Sequence, residues 1–137
     1  MRYRRWIACI VLGIVLAGCE HADPLTGDTG GATLSSIQAN IFDTHCALSG
    51  CHIGGSSSLP GSLNLREGEA YSNIVGVSSV EQPALQRIAA GNPDNSYLVH
   101  KIQGEPGISG SRMPFGRPAL SQEQIDLIRE WVANGAM

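Results

Sequence analysis

The sequence predicts an all-α domain of short helices joined by long loops, and three observations carry that reading. Apolar residues recur at helical spacing in two places, at Leu34, Ile37, Ile41 and Phe42 and at Ile125, Ile128, Trp131 and Val132. No alternating β-branched run between hairpin turns is present. Seventeen glycines and seven prolines in 137 residues confine regular structure to short segments. The length suits one domain. Aromatics are only 5% of the chain, so few large side chains are available for a core, and a bound group could supply missing apolar volume.

The chain opens with an address. Residues 1–5 hold three arginines, residues 6–17 are apolar and uncharged, and Gly18 and Cys19 follow. A basic start, a short apolar stretch and small residues describe a secretory signal over 1–18. The run is shorter than a comfortable membrane span. Leu16-Ala17-Gly18-Cys19 resembles the lipobox of bacterial lipoproteins, which implies that Cys19 becomes the lipid-bearing first residue of the mature chain. An ordinary signal peptide with a nearby cysteine is the alternative. Cys9 would leave with the signal. Glu20, rather than aspartate, follows Cys19 and favours the outer over the inner membrane, so the expected location is the periplasmic side of a bacterial cell envelope.

Cleavage changes the charge. Three of nine basic residues leave and all twelve acidic residues remain, so the formal charge moves from −3 to −6. With no basic run beyond residue 5, nucleic acid is excluded as a partner. A protein partner would offer a positive patch. Residues 19–32 are polar, with three glycines and a proline, and read as a flexible tether. His21 lies there and should be solvated.

The folded domain is expected over 33–137. The first helix is read over 34–45, with His45 at the end of its apolar stripe. Residues 46–64 are Gly- and Ser-rich and read as loop. A short helix follows over 67–75, with Tyr71, Ile74 and Val75 apolar, and another turn or two over 84–90. The turn signal at 91–96 precedes a short helix over 97–102 that Ser96 can cap. Residues 103–120 contain four glycines and three prolines and are loop. In the last helix, Ser121 and Gln124 have capping-box spacing and Gly135 is the stop. Long loops in a compact domain need a functional reason, and packing against a buried cofactor supplies one.

The string that decides the chemistry is Cys46-Ala47-Leu48-Ser49-Gly50-Cys51-His52. Two cysteines followed directly by histidine end a c-type haem attachment site. Each thiol adds to one vinyl group and the adjacent imidazole ligates the iron. The spacing here is C-x4-C-H, two residues longer than the usual form, with Gly50 allowing the backbone to bulge. Two other readings remain at this point: a Cys46–Cys51 disulfide, suited to an exported protein, and a zinc site of Cys46, Cys51 and His52 with His45 or His100.

A haem held by one histidine needs a ligand on its other face. Met1 would leave with the signal and Met137 is the last residue, so Met113, in the loop Gly110-Ser111-Arg112-Met113-Pro114-Phe115-Gly116, is the methionine candidate. Met113 filling a core gap is the structural alternative. His100, in the short helix, is the rival ligand.

Together these features resemble the small monohaem cytochromes c of the class I type. The likeness spans about 34–136. It takes in Ile41-Phe42, Cys46/Cys51/His52, Gly91-Asn92-Pro93 with Ser96-Tyr97-Leu98, Arg112-Met113-Pro114, and Leu120-Ser121 opening a helix that ends Trp131-Val132-Ala133-Asn134-Gly135-Ala136. The resemblance implies a cytochrome c-like fold around one haem c, bound through Cys46 and Cys51, with the first and last helices crossing. It implies His52 and Met113 on the iron and a pocket that includes Phe42, Trp131, Tyr97 and Leu98. Arg112 and Arg117 flank the Met113 loop and are candidates to neutralise a haem propionate. A six-coordinate iron leaves no site for substrate, so the expected role is one-electron transfer to and from redox proteins of the envelope, without catalysis on a small molecule. The competing roles are a haem subunit of a larger oxidoreductase, a peroxidase-like site, and a disulfide-bonded lipoprotein without redox function.

Overall fold

The computed structural model describes residues 31–56 and 60–137. The expected signal over 1–18, the lipid site Cys19 and the tether up to residue 30 lie outside the described residues. Among the described residues four α-helices and one tight turn appear in order: α1 (Leu34–Ile37) running directly into a wider-wound segment (Gln38–Cys46), α2 (Ala70–Ile74), a 3-10 turn (Pro93–Asn95), α3 (Tyr97–Gln103) and α4 (Gln122–Ala133). The β-pairing among the described residues consists of isolated bridges. No helix among them is long and apolar enough to cross a membrane.

The first helix starts where Thr33 accepts the Ser36 amide at its hydroxyl. Its second part widens for a reason visible in its side chains. Asn40 donates to the Ser36 carbonyl at 2.9 Å and Thr44 to the Asn40 carbonyl at 2.8 Å. These side chains bond carbonyls four residues back, where backbone amides normally bond, and so compete with the α-helical ladder. The following amide reaches one residue further, and Ala47 donates to the Phe42 carbonyl at 2.7 Å. Ile37, Ile41 and Phe42 are buried as the stripe requires, and Gln38 is buried beside them, tied to Asp43 and to the Leu65 carbonyl.

Two expected helices differ from the sequence reading. The 67–75 helix is shorter and begins at Ala70, and Tyr71 faces solvent rather than the core. Residues 84–90 form no helix. Their backbone is taken by neighbouring segments: Arg87 donates to the Val77 carbonyl, Ile88 to that of Ile74, and the carbonyls of Gln86 and Arg87 accept from Tyr97 and Leu98. Ile88 thereby reaches the centre of the core. Ser96 precedes α3 at the cap position, but its hydroxyl accepts from Ala89 and donates to the Asn92 carbonyl instead of capping the helix.

Helix α3 ends at Gly104, whose backbone is left-handed at φ 72°. An added Cβ would stand 2.8 Å from the Arg112 side chain, so glycine is needed twice over. Helix α4 carries the full capping box. Ser121 accepts the Gln124 amide, and the Gln124 side chain accepts the Ser121 amide. Its buried face is Ile125, Ile128, Trp131 and Val132, and it packs against α1 and α3. Replacing Ser121 with alanine should lower unfolding stability by about 1 kcal/mol. Urea denaturation followed by far-UV circular dichroism should show a lower midpoint with an unchanged slope.

Candidate functional site

The loop after the first helix is closed by its own backbone. Cys51 donates to the Leu48 carbonyl at 2.8 Å and His52 to the Cys46 carbonyl at 3.1 Å. Gly50, third in the Leu48–Cys51 turn, has φ 78°, which a side chain at that position would strain. The two extra residues of the C-x4-C-H spacing are thus absorbed in a tight turn. His52 is then paired onward, since its carbonyl accepts from Leu65, and Gly54 donates to Leu63.

The His52 ring sits 3.2 Å, through Nδ1, from the Pro60 carbonyl. A carbonyl only accepts, so Nδ1 carries the proton and Nε2 is the nitrogen with a free lone pair. Burial pushes the imidazole below its ordinary pKa, which keeps it neutral near pH 7. A neutral ring with one nitrogen tied back is the form in which histidine binds a metal.

Two hollows meet at this histidine. The inner one, about 130 Å³, is walled by Phe42, Leu63, Leu65, Leu98, Ile102, Leu120 and Ile128, with Tyr97, Glu81, Arg87 and Lys101 at its polar side. The outer one, about 310 Å³, opens between the Cys46–His52 loop and the loop of Met113, Pro114, Phe115 and Arg117. Cys46, His52, Pro60 and Met113 line both. Met113 is held by its own amide, which donates to the Lys101 carbonyl at 2.9 Å.

Comparison with protein-family models, curated proteins and solved structures found no match.

The site therefore rests on its own geometry. Of the residues read from sequence, Cys46, His52, Met113, Phe42, Tyr97 and Leu98 meet at the inner hollow, and Cys51 joins Cys46, His52 and Met113 at the outer one. Trp131 does not. It is buried in the core, and its indole nitrogen donates to the Met137 carbonyl at 2.9 Å. Ile128, one turn earlier on α4, lines the hollow in its place. His100 bonds the Asp94 carbonyl at 2.8 Å through Nε2, and His45 meets the Gln124 side chain; His100 lines neither hollow and His45 only the outer one. Among the described residues no three His, Cys, Asp or Glu side chains converge as a metal site, so the zinc arrangement lacks its ligand set. Cys46 and Cys51 are free thiols.

Sequence reasoning missed the polar side of the hollow. Lys101 is only 8% exposed and pairs with Glu81 at 3.0 Å. Arg87 donates to the Asn73 and Ser62 carbonyls, so its charge meets dipoles and, among the described residues, no carboxylate. The alternation of Val99, Lys101 and Gln103 on a short helix gave no signal that a lysine turns inward.

Burial, reinforced by the nearby Cys51 thiol, pushes the Cys46 thiol up to about 12. At pH 8 about one such thiol in ten thousand is ionised. In the folded chain with free thiols, Cys46 should resist iodoacetamide at pH 8, react about tenfold faster per unit rise in pH, and become fully reactive in guanidinium. Peptide mass spectrometry reads the modification.

Proposed function

We propose that this chain is a haem c protein that carries single electrons, similar to the small monohaem cytochromes c. The observation that carries the reading is the pairing of His52 and Met113 on the walls of the same hollows, with His52 fixed through Nδ1 to Pro60. Haem c, when bound, supplies one-electron cycling of its iron between ferrous and ferric states.

The donor set on these walls suits such a group. His52 Nε2 and Met113 Sδ are the atoms that would hold the iron. Cys46 and Cys51 would carry the thioethers, and their free thiols flank the same opening. The aliphatic wall would favour the lower iron charge. A thioether ligand on one side acts in the same direction, raising the potential relative to two histidines. Arg87 and Lys101 put positive charge on the polar side, where propionate carboxylates could be met. Arg117 borders the outer opening. Arg112 is turned to the Ile102 carbonyl through Nε, which leaves its terminal nitrogens for an anion. With the expected lipid on Cys19, the domain would work at a membrane of the cell envelope and exchange electrons with protein partners there.

The matured chain, exported by a host that attaches haem c, should stain for haem on a denaturing gel and weigh one haem more than its polypeptide. Replacing both Cys46 and Cys51 with alanine should abolish the stain. Met113→Ala should keep the stain, lose the weak far-red absorption of a sulfur-bound ferric iron, and lower the midpoint potential. A matured chain without covalent haem would refute the reading; a spectrum unmoved by Met113→Ala would refute the methionine ligand.

A further inference from the structure

The loop that carries Met113 has little hold of its own, because residues 104–120 form no regular element. Beside a bond from Gln82 Nε2 to the Gly107 carbonyl at 3.4 Å, its attachments run to α3. The Ser109 amide donates to the Tyr97 hydroxyl at 2.8 Å, and the Ser109 carbonyl accepts from Lys101 Nζ at 2.6 Å. The Met113 amide donates to the Lys101 carbonyl, and Arg112 Nε to that of Ile102. Tyr97 and Lys101 are fixed in turn by one carboxylate. Glu81 accepts the Tyr97 hydroxyl at 2.8 Å and pairs with Lys101 at 3.0 Å. Lys101 Nζ also lies 6.0 Å from the centre of the Tyr97 ring.

We infer that Glu81, Lys101 and Tyr97 form a partly buried clamp that seats Met113 at the hollow, so that the place of the methionine is set by the chain around Glu81 and by α3 rather than by its own loop. This rests on the reading of Met113 as the iron's second ligand. The three are positioning residues. Tyr97→Phe takes the acceptor from the Ser109 amide, and Glu81→Gln takes the charge that Lys101 is paired with, so the effect should pass through the network rather than stop at a single bond. Sequence separation makes the coupling specific: Glu81 lies 32 residues before Met113, and the contacts above connect the two through α3.

The test uses the full chain, with and without haem, and two variants that keep side-chain shape, Tyr97→Phe and Glu81→Gln. Amide hydrogen exchange is read at Ser109 and Met113, with Ile128 in α4 as reference. Both variants should speed exchange at Ser109 and Met113 at least tenfold and leave Ile128 unchanged. In the haem-loaded variants the far-red sulfur-to-iron absorption should weaken while the haem stain is kept. Acceleration at Ser109 alone, or an equal rise at Ile128, would overturn the clamp, the first by showing a local bond and the second a general loss of stability. If the unsubstituted loaded chain shows no sulfur-to-iron absorption while the exchange pattern holds, the ligand reading fails and the clamp on the loop stands.

Discussion

The hydrogen bond between His52 and the Pro60 carbonyl orders the chemistry of this domain. An imidazole can place its proton on either nitrogen, and the two forms present different atoms to a neighbour. The carbonyl removes that freedom at Nδ1. The same bond pins the ring against rotation, so Nε2 has a fixed direction and no proton. The remaining site features act on that nitrogen's surroundings. The backbone turn from Cys46 to His52 fixes where the ring begins, the aliphatic wall keeps it neutral, and Met113 shares both hollows with it.

The core serves this arrangement from two sides. Helix α1 with its wider-wound continuation (Gln38–Cys46) and helix α4 supply most of the large buried side chains, and Phe42 and Ile128 extend from them into the wall of the hollow. The rest of the wall is α3 and irregular chain, and irregular chain must satisfy its backbone by other means. Here the means are lateral: the 74–78, 86–88 and 96–98 segments exchange backbone bonds in short bridges, and Arg87 collects two further carbonyls. A Gly-rich sequence can hold a defined cavity in this way without a sheet.

Much of this was legible in the residues, and the exceptions have physical causes. The capping box of α4 and the stripe of the first helix are local patterns, and each appears with its expected bonds and burial. The Cys46–His52 string and Met113 were found through chemistry, which sequence displays directly. The stretch 84–90 was misread because Ala, Leu and Ile at helical spacing also suit an extended segment whose partners are distant in sequence. The resemblance places Trp131 in the pocket, whereas here Trp131 lies in the core and lines neither hollow, because helical spacing marks the buried face of α4 but not which part of that face meets the cavity. Asn40 and Thr44 widen the first helix through bonds to carbonyls, an effect that apolar periodicity does not register. The Glu81–Lys101 pair depends on tertiary proximity across twenty residues and has no local signature.

The longer cysteine spacing bears on how strictly such a site constrains its sequence. Two residues added between the thiols would displace the histidine if they extended the chain. They do not, because the Leu48–Cys51 turn folds the addition back on itself and the His52 amide still finds the Cys46 carbonyl. The wider winding of Gln38–Cys46 works toward the same end, since its last bond, from Ala47 to Phe42, delivers the chain into that turn. What the arrangement requires is therefore the closure between residues 46 and 52 rather than a fixed count between the cysteines. Any spacing that a turn can absorb, with glycine where the backbone is left-handed, preserves the relation of both thiols to the imidazole.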